Sequence, residues 1–94
     1  MALARVVEFE GVSQDRIGEL RRRIESGERP DNLPASELVV LHDAANEKAL
    51  AIVFFDNEDD YRKGDEALNA MPADETPGRR ASVSKYDVAL RMTD

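Results

Sequence analysis

The chain has 94 residues, 41% of them hydrophobic, with 20 acidic and 13 basic residues, a net charge of −7 and no cysteine. That length suits one domain, spanning residues 1–94, with a thin core that gains from a partner subunit. The missing cysteine excludes disulfides, thiolate metal sites and thiol catalysis, and fits a reducing, cytoplasmic compartment. The acidic balance repels phosphate backbones, so nucleic acid is a poor partner. The basic runs, Arg21-Arg22-Arg23 and Arg79-Arg80, are short and read as a solvated helix edge and a loop. The start lacks the layout of a signal peptide, and no apolar stretch approaches the ~20 residues of a membrane span, so no membrane is expected.

Residues 3–9 read as a first strand, with Leu3, Val7 and Phe9 on one face at period two and Arg5 as the charged exception among them. Gly11 punctuates. Ser13 is a helix N-cap, with Val12 and Ile17 placed as a hydrophobic staple, and Ile17, Leu20 and Ile24 form an apolar stripe. The helix ends near Ser26, where Gly27 suits a left-handed cap. Residues 28–36 hold two prolines and form a loop, long enough to act as a lid or rim.

Residues 37–42 form the second strand, residues 44–48 turn the chain, and residues 50–55 form the third. That third strand, Leu-Ala-Ile-Val-Phe-Phe, is apolar on both faces, whereas a strand with one wet face alternates. Asp56 and Asn57 both suit an N-cap. The carboxylates of Glu58, Asp59 and Asp60 suit a first turn better than a calcium loop, since the EF-hand glycine and terminal glutamate are missing. The second helix carries Tyr61, Gly64, Leu68 and Met71 as its stripe and stops at Pro72. Residues 72–80 form a loop around Pro77-Gly78, and residues 81–92 read as a long last strand with Tyr86, Val88, Leu90 and Met92 on one face.

The order is βαββαβ, an α+β ferredoxin-like fold. Right-handed crossovers put both helices on one face of a four-stranded antiparallel sheet. Either residue set of the third strand leaves an apolar face away from the helices, and an uncovered apolar face marks an association surface. A homodimer follows as the expectation.

The strand Arg5-Val6-Val7-Glu8-Phe9, the helix opening after Gly11, the stretch from Phe54 to Tyr61 and the segment from Pro77 to Val88 carry a resemblance over nearly the whole chain. The chain resembles the dimeric α/β-barrel superfamily, in the branch around antibiotic-biosynthesis-monooxygenase-like domains, and its last segment is similar to small actinobacterial members. The resemblance implies a barrel dimer. Its activities span cofactor-independent monooxygenases, haem-degrading enzymes, isomerases and non-catalytic ligand binders, so fold does not settle function. Oxygenases and haem degraders of this kind commonly use a tryptophan with an asparagine, and this chain has no tryptophan. The haem branch wants a histidine on the second helix, whereas the single histidine here, His42, ends the second strand. No catalytic residue of the family carries over.

Four polar side chains are candidates for a ligand site: Arg5, His42, Tyr61 and Tyr86. Arg5 offers a fork of donors to an anion, or pairs with Asp87 or Glu8. His42-Asp43 offers an imidazole base with a neighbouring carboxylate, but adjacent strand residues point to opposite faces, and a strand-end histidine at a turn is more often structural. The tyrosines are pocket phenols or core residues with a wet tip. Gly18 and Gly64, interior to the two helices, mark either close approach to the sheet or a cleft roofed by helix, rimmed by the two loops.

The functional expectation is a small-molecule-binding or cofactor-independent enzyme domain, with no haem, flavin or metal. The alternative is a non-catalytic dimeric structural or interaction module. An apolar cavity with convergent polar groups favours the first. A helix–sheet interface filled by side chains favours the second.

Overall fold

The computed structural model describes residues 2–27, 33–71 and 76–92. Six elements follow one another: β1 Leu3–Glu10, α1 Gln14–Glu25, β2 Glu37–Asp43, β3 Lys48–Phe55, α2 Glu58–Asn69 and β4 Arg79–Asp87. The strands form an antiparallel sheet in the order β2-β3-β1-β4, which is ferredoxin-like topology.

Register decides the faces. Leu3, Arg5, Val7 and Phe9 of β1 stand opposite Phe55, Val53, Ala51 and Ala49 of β3. These residues face the helices. Leu3, Val53 and Phe55 form one buried cluster with Tyr61, joined by Leu33, Ala35 and Leu68. Val7, Phe9 and Ala49 form a second with Val12, joined by Ile17 and Ala51. A side-chain period of two then turns Leu50, Ile52 and Phe54 to the other face.

Local chemistry starts and stops the helices. The Ser13 hydroxyl accepts from Arg16 N at 3.2 Å, and Val12 and Ile17 share a cluster as a staple requires. Gly27 closes α1 at φ +89°, a conformation costly for a residue with a Cβ. Asn57 caps α2, its side-chain oxygen accepting from Asp60 N at 2.8 Å.

The two interior glycines differ. An added Cβ at Gly64 would overlap Cε1 and Cζ of Phe55, whose side chain is fully buried, so α2 sits at backbone distance from the sheet. At Gly18 an added Cβ meets no more than the Arg22 side chain at 3.7 Å. The close approach expected there is absent. The reason is that α1 buries none of its residues and touches the second cluster mainly through Ile17.

The last strand is shorter than its sequence pattern. It begins at Arg79 rather than residue 81, because a bulge between Glu8 and Phe9 restores pairing to Arg79 and Arg80. It ends at Asp87, opposite Leu3, where β1 begins. Val88 N still donates to Ala2 O at 3.0 Å, after which the chain leaves the ladder. Of the loop at 28–36, residues 28–32 lie outside the described residues, as do residues 72–75 with Pro72.

Gly64→Leu is expected to destabilise the protein by about 1–3 kcal/mol through overpacking against Phe55, despite its better helix propensity. Gly18→Ala is expected to stabilise it by up to about 1 kcal/mol. Urea unfolding of the two variants, followed by circular dichroism, checks both signs.

Candidate functional site

Arg5 is 2% exposed on the helix-facing side of the central strand β1. A buried guanidinium needs compensation, and α2 supplies it. Arg5 Nε donates to Asp65 Oδ1 at 2.8 Å, and Nη2 donates to Asn69 Oδ1 at 3.0 Å. Arg80 Nη1 donates to the same Asn69 oxygen at 2.9 Å, and Asn69 Nδ2 donates to Asp65 Oδ2 at 3.3 Å. Both partners first suggested for Arg5, Asp87 and Glu8, are displaced by residues 60 and 64 positions away in sequence.

Tyr61 lies one turn before Asp65 on α2. Its ring meets Phe55 edge-on, with centroids 5.4 Å apart, and Lys85 Nζ sits 4.9 Å from its centre. Burial is the main cause that pushes the Tyr61 phenol above its ordinary value, with the Asp65 carboxylate adding to it. Lys85 also binds the Glu58 carboxylate, which raises the lysine. The result is a seam of alternating charge between α2 and the β1–β4 side of the sheet.

His42 stands apart. It faces the helices from edge strand β2, opposite Ala49, four residues along β3 from the Val53 that faces Arg5. At about 3.4 Å per residue that is about 14 Å along the strand. His42 Nε2 donates to Val12 O at 2.9 Å, and Val12 N donates to Glu47 O at 2.7 Å. Together these bonds tie the β2–β3 turn to the start of α1. Glu47, at φ +53°, holds the unusual conformation that presents its carbonyl. Asp43 does not orient the imidazole. Its carboxylate accepts from Asn46, a bond that lowers its pKa.

Tyr86 is on the opposite face of the sheet, beside Ala4, and is 56% exposed. So Arg5 and Tyr61 meet along α2, His42 serves the α1 end, and Tyr86 faces away from all three. Asp65, Asn69 and Lys85 are the seam residues that the sequence reading did not single out. Their signal was present: Tyr61, Asp65 and Asn69 follow a spacing of four on one helix face, and Lys85 is the register neighbour of Arg5.

The space beneath α2 is occupied. The Phe55 ring lies under Gly64, and Leu33 closes the side at 3.4 Å from where a Cβ would stand. A shallow depression elsewhere is lined by Glu19, Arg22, Arg23 and Ser26 on the exposed side of α1. Among the described residues no group of three or more histidine, aspartate or glutamate side chains is placed to hold a metal, and no helix is long and apolar enough to cross a membrane. The acidic first turn of α2 is engaged locally, with Asp59 paired to Arg62 at 3.2 Å and Asp60 accepting from Asn57. No protein-family model matches the chain, nor does any curated protein or solved structure.

Two outcomes are expected of the seam. Asp65→Ala strands the buried guanidinium and costs about 1–3 kcal/mol, moderated because the Asp65 side chain is 37% exposed and water reaches its place. Arg5→Met costs less, since the carboxylate left behind is solvated; equilibrium unfolding ranks the two. The raised Tyr61 favours the folded state while the phenol is protonated, so its contribution is full below the unfolded phenol's value near 10 and is lost as pH rises through the folded value. Tyr61→Phe should therefore flatten the alkaline fall in thermal midpoint.

Proposed function

We propose that this chain is a non-catalytic module that self-associates through the open face of its sheet, as an intracellular homodimer. The observation that carries this reading is the character of that face. Val6, Val39, Leu41, Leu50, Ile52 and Phe54 share it, with Leu41 51% and Leu50 36% exposed. Glu10, paired to Arg79 at 2.6 Å, and Glu37 sit at the ends of the strands, and Glu8, beside Leu50 and Ser82, lies on the β1–β4 side, so the apolar area spans β2, β3 and Val6. A two-fold axis through that area pairs apolar residues with apolar residues, which a self-complementary patch permits. Two sheets packed this way make a dimeric α/β barrel, the arrangement implied by the likeness to antibiotic-biosynthesis-monooxygenase-like domains.

The packing beneath α2 favours this module over a small-molecule binder or cofactor-independent enzyme. A ligand between helix and sheet would have to displace Phe55 and Leu33, and Arg5 already spends Nε and Nη2 on α2.

Sedimentation equilibrium at micromolar concentration should return about twice the chain mass of 10.5 kDa. Leu41→Glu combined with Leu50→Glu should return the single-chain mass with the fold retained, because both side chains are exposed in the protomer. Each chain carries −7, so added salt should tighten the dimer by screening repulsion. A wild-type monomer under these conditions overturns the proposal.

A further inference from the structure

Beyond β4, residues 88–92 form an arm that crosses the end of the open face. It starts at the β4 edge, where Val88 N is bonded to Ala2 O. It reaches the far side of the sheet at Arg91, whose guanidinium carbon lies 4.4 Å from the centre of the Phe54 ring and whose Nη2 pairs with the Glu37 carboxylate. Phe54 and Glu37 are register neighbours on β3 and β2. Arg91 thus fastens the arm to the sheet and neutralises a carboxylate at the rim of the apolar face.

The flanking residues do the reverse. Leu90 and Met92 are 89% and 91% exposed, the most exposed of the large hydrophobic side chains described. Arg91 lies against Phe54, while its two apolar neighbours pack on nothing in their own protomer. Two uncovered apolar side chains anchored at the rim of an apolar face are suited to a second surface laid over that face.

Area points the same way. Four strands about 4.8 Å apart, each with about eight residues rising about 3.4 Å, give the face a footprint of about 500 Å². A stable interface buries about 800 Å² per partner. The accessible surface of such a face exceeds its flat footprint, and Leu90 and Met92 add roughly 200 Å² per protomer, which brings the covered surface into the range of a stable dimer.

We infer that Leu90 and Met92 are docking anchors for a second copy of this chain, each protomer's arm gripping the open sheet face of its partner. This rests on the self-association proposed above and names the residues that complete it. The test is Leu90→Ser combined with Met92→Ser. The thermal midpoint of the dilute protomer should stay unchanged, because neither side chain is buried in it, while the dimer dissociation constant rises at least ten-fold. In parallel, Leu90→Cys gives a unique thiol for a photo-cross-linker in this cysteine-free chain. In a mixture of isotopically heavy and light protein, cross-links should join heavy to light through peptides carrying Leu41, Leu50 or Ile52. A wild-type dimer whose dissociation constant is unmoved by the double change, or cross-links confined to single chains, overturns the anchor role and leaves sheet pairing standing. A wild-type monomer overturns both.

Discussion

The contact between the Gly64 backbone and the Phe55 ring is the constraint on which the rest of the helix–sheet packing depends. With no side chain at position 64, α2 descends until its backbone rests on the ring. That height brings the Tyr61 ring edge-on to Phe55 and lowers Asp65 and Asn69 to hydrogen-bonding distance of Arg5. A charged residue in the central strand is tolerable only at this separation. About one ångström further out, the Arg5 hydrogen bonds to Asp65 and Asn69 would be stretched past bonding distance.

The same contact makes the two helices unequal. α2 buries Tyr61 and Gly64 and ties its polar side to β1 and β4 through Arg5, Arg80 and Lys85. α1 buries nothing and is held at its start by the staple and by the bonds from Val12 and His42. The helix-facing side is therefore filled where α2 lies, while Leu38 and Val83 on its two edge strands, and Leu41 and Leu50 on the other face, stay exposed. The apolar patch on that other face supports the associating module proposed above. The residues with the most chemistry to offer, Arg5 and Tyr61, are consumed in holding the fold.

Much of the architecture was legible because its signals are local. Ser13, Asn57 and Gly27 act within a turn of their own positions, and the alternation and helical spacing of the apolar residues placed all six elements. Boundaries shifted where a distant strand set them. β4 starts early because of a bulge opposite Glu8 and Phe9, and it ends at Asp87 because its neighbour β1 begins at Leu3. No property of residues 88–92 themselves announces that stop.

The sequence by itself determined the order of elements, the helix caps and the presence of a strand with two apolar faces. It could not say which of those faces meets the helices, since Leu50, Ile52 and Phe54 are as hydrophobic as Ala51, Val53 and Phe55. Only the pairing of β3 with β1 decided that, and with it which face stays open. The partners of Arg5 lie 60 and 64 residues away, and His42 bonds a carbonyl 30 residues distant. Such choices depend on which side chains the tertiary fold brings within about 3 Å, and no period of two or four residues along the chain encodes that distance.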